Sequence, residues 1–413
     1  MSTAARRSVG RDIGRRVLIV VHDLPVPYDR RTWLEACTLA AAGFTVSVIC
    51  PKSRTFSRSR ETLEGIEIYR YPMPFEARGV LGYVAEFSWC FVATALLSLR
   101  LALLGRGFDA IHACNPPDIY WLLALAWRPL GKRFLYDHHD LAPEMYLAKY
   151  DRSDPDALHR VLLWLERMSF RTARTTLATN ESYREVALTR GERRADSVFI
   201  VRSGPDEEWF RPGSAEPALK EGRRFLCCYL GKMCEQDGVD HLLRVAAILT
   251  VERGRDDVLF VLIGEGPAVP ALRLYATELL LDSHCRFTGF LPDGEVSRYL
   301  STADLAIDPD PKNAWSDRST MNKVLDYMLF GCPIVAFDLK ENRVSAQECA
   351  RFVTPNSERE MADAIEELLA DQETRSRMGS EGRERATAHL LWRYSEPSLL
   401  SAYDHLFAVE RRS

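Results

Sequence analysis

Ten short runs of β-branched and aromatic residues recur along the chain with helical patterns between them, and this alternation restricts the fold more than any other feature. The runs are residues 17–21, 45–50, 109–113, 133–137, 175–178, 198–202, 225–230, 258–263, 304–308 and 333–337. Strands that alternate with helices pair in parallel, and the helices then cover both faces of the sheet. The sequence therefore predicts an α/β fold with doubly wound parallel sheets.

A break in this alternation divides the chain into two halves. At 413 residues the chain is longer than one hydrophobic core supports, and residues 203–222 are rich in Gly, Pro and charge. The predicted organisation is a basic tail (1–15), a first domain (16–204), a linker (205–222), a second domain (223–388) and a helix (389–413) that returns to the first domain. If two such domains face each other, ligands are expected at the carboxyl ends of both sheets.

Charge and cysteine usage exclude several classes of function. The net charge of −4 provides no basic surface for nucleic acid, so no nucleic-acid partner is expected. The ten cysteines lie mostly in apolar runs without metal-ligand or redox spacing, which indicates reduced core residues of a cytoplasmic protein. The first apolar run, residues 17–21, is too short for the core of a signal peptide.

Residues 87–104 are the most apolar stretch of the chain, bounded and interrupted by Glu86 and Arg100. These charges leave fewer than the roughly 20 apolar residues that a bilayer-spanning helix needs. We therefore expect a buried helix. The alternative is a helix that rests on the inner face of a membrane, with weak peripheral association, which would suit a lipid-linked substrate.

Residues 316–336 have the pattern of a charged loop, a short helix, a Gly stop and a buried strand. Ser319 is a good N-cap and Gly331 a good C-cap, so the helix is expected to run between them. One helix face would carry Ser319, Lys323 and Asp326. The opposite face is apolar and comprises Met321, Val324, Leu325 and Met328.

The polar face of this helix suits a phosphorylated sugar compound. Unpaired N–H groups at a helix start attract phosphate, Lys323 would add positive charge, and Asp326 would accept hydrogen bonds from sugar hydroxyls. An ordinary surface helix, in which Lys323 and Asp326 form an i,i+3 ion pair, is equally consistent with the spacing.

Glycine turns follow three of the predicted strands of the second half. Gly231 and Lys232 follow residues 225–230, Gly264 and Gly266 follow residues 258–263, and Phe290 with Leu291 follows the turn at residue 289. A backbone turn with a nearby cation can hold a diphosphate. Taken singly each turn is weak evidence of a site, since such turns are common in α/β proteins.

In this order, with Asp326 and the stop at residues 331–333 behind them, the turns resemble the nucleotide-binding domain of retaining GT-B glycosyltransferases of the family 4 type. The resemblance covers nearly the whole chain. In the first half it rests on residues 22–25, 29–31 and 41–46. Similarity to a bacterial subgroup assigned to polysaccharide or glycoside assembly rests on residues 115–118, 137–144, 309–313 and 338–345.

The resemblance implies the GT-B fold, with two Rossmann-like domains, and transfer of a hexose-type sugar to an acceptor hydroxyl with retention of configuration. The donor would be a nucleotide sugar, with UDP as the expected carrier, and no cofactor or obligatory metal is implied. The acceptor is left open between a lipid-linked glycan and a small-molecule glycoside. The uracil would lie near the turns at Gly264 and Phe290.

Three groups of site residues follow from the resemblance. The donor-binding residues are Gly231, Lys232, Gly264, Gly266, Phe290, Leu291, Arg318, Ser319, Thr320, Lys323 and Asp326. The catalytic residues are His139, with Asp140 and His138 beside it. The acceptor or sugar contacts are Asp29, Arg30, Asn115 and Arg343.

The sequence departs from the family pattern at two places. The family has two glutamates whose positions correspond to Arg318 and Asp326, so only the second carboxylate is kept, one methylene shorter. The usual Arg and Lys that grip the diphosphate correspond to Lys232 and Asp237, so half of that clamp is missing. The lost positive charge would come from Lys323, Arg318 or Arg343.

Several alternatives stay open. The run of residues 137–139 resembles the Asp-His-His motif of metal-dependent phosphoesterases, although residues 17–21 end without the Asp-x-Asp such enzymes need. Residues 308–310 resemble the metal-binding Asp-x-Asp of GT-A enzymes, which the doubly wound halves argue against. A UDP-sugar 2-epimerase of the same fold and a degenerate binding protein are further candidates. His138 and His139 could also only join the strand end to its loop, as expected for His112.

Overall fold

The computed structural model of the protein describes residues 14–74, 79–150, 152 and 154–408. These residues form two compact units. The first comprises the described residues within 1–143, 155–201 and 395–413, and the second comprises those within 144–154 and 202–394. The predicted basic tail, residues 1–15, lies outside the described residues except for its last two.

The first unit has a parallel sheet at its centre. Its strands are β1 (Arg16–Val20), β2 (Thr45–Pro51), β3 (Arg60–Leu63), β4 (Ile66–Tyr71), β5 (Ala110–Cys114), β6 (Arg133–His138), β7 (Thr175–Ala178) and β8 (Val198–Ile200). Their order is β3-β4-β2-β1-β5-β6-β7-β8, and only β3 runs antiparallel to its neighbour. Residues 17–20 of β1 are almost fully buried, as expected for a central strand that is covered on both faces.

Helices connect these strands and cover the sheet. They are α1 (Arg30–Ala41), α2 (Gly79–Leu103), α3 (Trp121–Trp127), α5 (Ala157–Thr172) and α6 (Glu181–Thr189). A further helix, α4 (Ala142–Lys149), follows β6 and belongs to the second unit from Glu144 onward. Asp29 begins α1 as its N-cap, since its side chain accepts a hydrogen bond from the Thr32 amide at 3.0 Å. Asp156 and Asn180 cap α5 and α6 in the same way.

The second unit has a six-stranded sheet in which all pairs are parallel. Its strands are β9 (Phe225–Leu230), β10 (Val258–Ile263), β11 (Cys285–Gly289), β12 (Leu305–Asp308), β13 (Ile334–Phe337) and β14 (Ala350–Val353). Their order is β11-β10-β9-β12-β13-β14. Alternate residues of the central strand β9 point into two separate hydrophobic cores, with Cys227 and Tyr229 in one and Leu226 and Cys228 in the other.

The helices that build these two cores flank the sheet. They are α7 (Val239–Ala247), α8 (Val269–Glu278), α9 (Asp293–Thr302), α10 (Asn322–Phe330), α11 (Lys340–Ala346), α12 (Glu358–Ala370) and α13 (Gln372–Arg385). The doubly wound α/β architecture predicted from the sequence is thus confirmed in both units. Nine of the ten cysteines are buried and all ten are free, as their apolar surroundings predicted.

The last helix, α14 (Glu396–Phe407), belongs to the first unit. Its buried residues pack against β7 and β8, and Arg133 donates a hydrogen bond to the Leu406 carbonyl at 2.5 Å. The helix predicted over residues 389–413 begins only at Glu396, with Pro397 in its first turn, because residues 392–394 form a separate 3-10 turn.

All ten predicted strands are present with bounds that shift by one or two residues, but four strands were missed. These are β3, β4, β11 and β14, whose sequences RETL, IEIYRY, CRFTG and ARFV mix charged with apolar residues. Three of them are edge strands of their sheets. An edge strand is half exposed and therefore lacks the continuous apolar run on which the prediction rested.

The prediction that the apolar stretch 87–104 forms a buried helix is wrong. The helix α2 runs through both Glu86 and Arg100, and only 11 % of its most apolar 18 residues are buried. By length and composition it is the one helix of the described residues that could cross a membrane. The charges did not shorten it, because Glu86 turns toward His22 at 3.1 Å and Arg100 lies in the last turn.

Candidate active site

His139 lies directly after β6, at the carboxyl end of the first sheet. Its Nδ1 is 3.0 Å from an Asp137 carboxylate oxygen, and 16 % of its side chain is exposed. Burial disfavours the charged ring, but the Asp137 charge outweighs it and raises the pKa of His139 to about 9. His139 is therefore an imidazolium at neutral pH, with Nε2 directed away from Asp137.

Arg31 fixes Asp137 from the other side. Its Nε and Nη2 donate parallel hydrogen bonds to the two Asp137 oxygens at 3.0 and 2.7 Å, and its Nη1 donates to the Val201 carbonyl at 2.7 Å. Although burial acts against the charge, Arg31 and His139 hold the pKa of Asp137 well below its usual range. The sequence analysis did not select Arg31 and Asp137 as site residues, since nothing in their local spacing joins positions that far apart.

Asn115 holds the loop that carries His139. Its side-chain oxygen accepts hydrogen bonds from the amides of His139 and Asp140 at 2.8 and 3.0 Å, and its amide group donates to the Asp140 carbonyl at 2.7 Å. The predicted role of Asn115 was a contact with acceptor or sugar. The structure instead commits its amide to the loop, so we assign it a positioning role.

The assignment of His138 as a catalytic neighbour is corrected. His138 is fully buried, its Nε2 lies 3.2 Å from Glu166, and its ring packs against Phe170 and Tyr183. It is the last residue of β6, where side chains alternate between the two faces of the sheet. Asp137 and His138 therefore point in opposite directions, which also removes the common metal site that the phosphoesterase alternative needs.

A buried group of potential metal ligands surrounds Asp137. One ligand atom from each of Glu35, His112, Cys114 and Asp137 lies within 4.8 Å of the others. Arg31 already occupies two of them, since it pairs with Glu35 at 3.1 Å as well as with Asp137. Burial also raises the pKa of the Cys114 thiol well above its usual value, so it stays protonated. A fixed guanidinium inside this group disfavours a metal ion there.

The other predicted first-domain contacts lie at the start of α1. Asp29 is half-buried as the N-cap, and burial raises the pKa of its carboxyl group even though the His139 charge opposes that shift. Arg30 is exposed. Arg31, in the first turn of α1, bonds to Asp137 near the end of β6, so the N-terminus of α1 lies beside the loop after β6.

The glycine turns of the second unit bring three strand ends into backbone contact. A β-carbon on Gly264, whose φ is +138°, would lie 1.9 Å from the Gly231 carbonyl, and one on Gly266 would lie 2.1 Å from the Met233 carbonyl. The Gly264 amide donates to the Gly289 carbonyl at 3.1 Å. The glycines are therefore required for close approach of the loops after β9, β10 and β11. They build a compact edge at the carboxyl end of the sheet, where doubly wound folds bind ligands.

Lys323, which the sequence analysis expects to add positive charge at a phosphate site, is paired with buried carboxylates. Its ammonium group bonds to the buried carboxylates of Asp308, at 3.3 Å, and Asp310, and lies 5.0 Å from the Tyr229 ring centre. Burial opposes its charge, but these carboxylates raise the pKa of Lys323 well above its usual value. Lys323 therefore pairs with Asp308 and Asp310, and not with Asp326 in the i,i+3 ion pair of the alternative interpretation.

The helix predicted to begin at Ser319 begins instead at Asn322, with Met321 as its N-cap. A 3-10 turn, Ser316–Arg318, precedes it, and the Ser319 hydroxyl closes that turn by donating to the Trp315 carbonyl at 2.8 Å. Gly331 ends the helix as predicted. The apolar face is confirmed, and the polar face is also largely buried.

The remaining predicted donor residues differ in exposure. Lys232, Phe290 and Arg318 are exposed, while Thr320 and Leu291 are half-buried. The buried members are Ser319 and Asp326.

Asp237 and Arg343 are held by their own surroundings. Asp237, which stands where the family pattern has a basic residue, accepts a hydrogen bond from the Cys234 amide at 2.8 Å and caps the turn after β9. The Arg343 guanidinium pairs with the Asp338 carboxylate and lies 4.8 Å from the Phe352 ring centre. Asp237 adds no positive charge at this position, and the Arg343 side chain remains 58 % exposed.

Comparison with known protein families identifies the family of each unit. Residues 28–204 match the family described as "Glycosyl transferase 4-like domain", and residues 224–371 match "Glycosyl transferases group 1". The fold matches sucrose-phosphate synthase from Thermosynechococcus elongatus with a TM-score of 0.74 and 18 % identity, over 95 % of this chain and 99 % of that one. The chain belongs to the GT-B glycosyltransferases of the family 4 type. The predicted family and fold are thereby confirmed.

Further known proteins extend the comparison. The chain is 27 % identical over 256 residues to alpha-D-kanosaminyltransferase from Streptomyces kanamyceticus, covering 58 % of this chain and 63 % of the relative. It is 28 % identical over 207 residues to a Mycobacterium tuberculosis GDP-mannose-dependent alpha-(1-6)-phosphatidylinositol monomannoside mannosyltransferase, covering 48 % of this chain and 53 % of the relative. These matches thus span less than two thirds of either relative. The fold also matches Anabaena Alr3699/HepE in complex with UDP and glucose, with a TM-score of 0.71 and 16 % identity over 95 % of this chain and all of that one.

Proposed function

We propose that this member of the glycosyltransferase family moves a hexose-type sugar from a nucleoside diphosphate, UDP in the first instance, to an acceptor hydroxyl. The transfer retains the anomeric configuration and needs no metal. The observation that carries the proposal is the fixed imidazolium of His139, which Asp137 holds at 3.0 Å at the carboxyl end of the first sheet. Such a group is oriented to donate from Nε2 to a hydroxyl of the transferred sugar.

The donor nucleotide is proposed to bind at the glycine-rich edge of the second unit. The base would lie against the turn at Gly264 and the exposed Phe290, and Asp326 would accept hydrogen bonds from the ribose. Lys232 and Arg318, both exposed, would replace Lys323 as the cations that face the diphosphate. Backbone amides near Thr320 would complete the phosphate contacts.

Chemically, the proposed step needs no protein nucleophile. The bond between the anomeric carbon and the diphosphate oxygen breaks while a bond to the acceptor oxygen forms on the same face of the sugar. The acceptor proton passes to the departing phosphate oxygen. Cations and amides that stabilise the charge on the departing diphosphate are then the main catalytic contribution.

We also propose a cytoplasmic location and two alternative classes of acceptor. Ten free cysteines suit a reducing cytoplasm. The acceptor would be a lipid-linked glycan or a small-molecule glycoside. One relative is named for a phosphatidylinositol mannoside acceptor and another for kanosamine transfer, so the names of the relatives support either class.

A donor panel tests this function. The protein is incubated in EDTA with UDP-, GDP- and ADP-linked hexoses and a mixture of candidate acceptors, and the products are analysed by mass spectrometry and NMR. We expect consumption of a UDP-hexose and an α-linked product from an α-linked donor. Consumption of only GDP- or ADP-hexoses would overturn the choice of UDP, and metal-dependent phosphate release would overturn the transferase. Conversion of UDP-GlcNAc without acceptor would instead indicate the 2-epimerase.

A further inference from the structure

The helix α2 buries mainly small or polar side chains and exposes apolar ones, which is the opposite of an ordinary surface helix. The side chains it buries include Cys90, Thr94 and Ser98, which are small or polar. Its exposed side follows helical spacing of three and four residues and is apolar, with Leu81, Val84, Val92, Leu96, Leu99 and Leu103. Leu81 and Leu103 are 84 % and 78 % exposed. A surface of this kind is unfavourable in water and indicates a docking site.

The exposed apolar surface continues onto two neighbouring helices. Trp127 of α3 donates a hydrogen bond to the Ser98 hydroxyl of α2 at 3.3 Å, and the Trp121 ring of α3 packs edge-on against Trp164 of α5 at 5.7 Å. Leu122 and Leu125 of α3 are exposed, as are Val161 and Trp164 of α5. We call the exposed apolar side chains of α2, α3 and α5 the apolar face.

The exposed charged side chains within α2, α3 and α5 are all positive. Arg160, Arg167 and Arg171 lie on the same stripe of α5 as Trp164, and all three are exposed, as are Arg100 of α2 and Arg128 next to α3. The only acidic residues of α2, α3 and α5 are Glu86 and Glu166, and neither is exposed: Glu86 faces His22 and Glu166 is buried.

We propose that the apolar face docks on the surface of an anionic lipid bilayer. Apolar side chains with exposed tryptophans would enter the boundary between headgroups and acyl chains, while the arginines would meet the negative headgroups. A second copy of the chain fits less well, because in a symmetric contact the same face would offer the arginines no exposed acidic partner. The proposal concerns the first unit alone and does not depend on the identity of the donor or acceptor.

The helix lies along the bilayer surface in this arrangement and does not span it. Glu86, Trp89 and Ser98 each bond to other parts of the first unit, with Trp89 donating to the Pro72 carbonyl at 2.8 Å. These contacts tie down about 18 Å of the helix length, at about 1.5 Å per residue. A helix so attached on one side presents only its other side to lipid.

Vesicle sedimentation with the full chain tests the proposal. Vesicles are made of phosphatidylcholine alone or mixed with phosphatidylglycerol. We expect the protein to sediment with the anionic vesicles, and less so at high salt. Leu96→Glu combined with Leu99→Glu should lower the bound fraction about tenfold, because both side chains are exposed and enter the lipid boundary. Leu274→Glu, at an exposed leucine of the second unit, should bind as the wild type does.

Charge and assembly are tested separately. Arg160→Gln, Arg167→Gln and Arg171→Gln together should abolish the preference for anionic vesicles, whereas Arg383→Gln should not. Circular dichroism verifies that each variant is folded.

The proposal is overturned if the folded wild type binds neither kind of vesicle. It is equally overturned if ultracentrifugation shows a dimer that the Leu96 and Leu99 variant disrupts, since a second copy would then cover the face. Unchanged UDP binding by that variant separates this proposal from the proposed function.

Discussion

Arg31 and Asp137 are 106 positions apart in the chain and are joined by two parallel hydrogen bonds at 3.0 and 2.7 Å. Arg31 lies in the first turn of α1 and Asp137 near the end of β6, so the pair ties the helix to the strand end that carries His139. Because both side chains are buried, the pair is sensitive to the loss of either partner.

Replacing Arg31 should reduce stability in proportion to the charge and geometry that are lost. Arg31→Met leaves Asp137 and Glu35 buried without their cation and should lower the free energy of unfolding by about 3–5 kcal/mol. Arg31→Lys keeps the charge but not the fork of two parallel bonds, so a smaller loss is expected. Arg30→Met, at the exposed neighbour, should stay within about 0.5 kcal/mol of the wild type. Urea unfolding measures all three, and equal effects of Arg31→Met and Arg30→Met would contradict the account.

Asn115→Ala should impair turnover more than donor binding. The substitution removes three hydrogen bonds that hold the backbone of residues 139 and 140, so His139 loses its position. A displacement of about 1 Å can lower the rate on the order of 100-fold. We expect a 10- to 100-fold lower kcat, in line with that estimate, and an unchanged Kd for UDP.

The matched control for Asn115 is Asn180→Ala. Asn180 is also a buried asparagine of the first unit that bonds to backbone, since its side chain accepts from the Tyr183 amide at 2.8 Å. Loss of this cap should lower stability by about 1 kcal/mol and leave kcat unaltered. If both variants lose kcat equally, the effect is one of general stability and Asn115 has no positioning role.

The charge of His139 predicts a dependence on alkaline pH. Its folded pKa is about 9, above the ordinary value of 6.5, because the Asp137 charge outweighs the effect of burial. A raised pKa stabilises the fold fully below pH 6.5, and that contribution disappears as the pH rises through about 9. The difference in unfolding free energy between wild type and His139→Gln should therefore shrink between pH 6.5 and pH 10, and transfer activity should fall over the same range. A difference that stays constant over this range would show that His139 is not charged in the folded state.

Two lysines of the second unit should behave in opposite ways. Lys323→Met removes the cation between Asp308 and Asp310 and should destabilise the protein by about 3 kcal/mol. Lys232→Met, at an exposed position, should leave stability within about 0.5 kcal/mol but weaken UDP binding about tenfold. Thermal unfolding and calorimetry measure both properties. A stable Lys323→Met variant with lost UDP affinity would reverse these assignments.

The central strands could be predicted because burial on both faces makes them continuous apolar runs. The runs at β1, β9 and β10 are of this type, and all were located to within one residue. The strand β3 could not be found in this way, since its sequence RETL has no apolar run and its place is set by pairing with β4. The helix α2 was assigned to the interior because composition reports how apolar a helix is and not which side of it packs.

The sequence predicts which types of residue lie at the candidate site, but not which side chains bond to one another there. The order of the glycine turns and the position of His139 follow strand ends, which the sequence reveals. The partners of Asn115 and Lys323 lie at or just after the ends of other strands, so they depend on which strands are neighbours. Lys323 was predicted to bind phosphate because its spacing from Ser319 implied an open helix tip. The 3-10 turn at residues 316–318 moved the helix start and placed Lys323 over the end of β12.

Calorimetry of UDP binding in EDTA is the most direct test of the proposed donor site. The wild type should bind UDP without metal, and Asp326→Ala should weaken binding by about tenfold or more, since a ribose hydroxyl then loses a charged acceptor. Asp404→Ala, at an exposed aspartate of α14, should bind as the wild type does. Equal affinity of wild type, Asp326→Ala and Asp404→Ala, or no UDP binding by the wild type, would contradict the account.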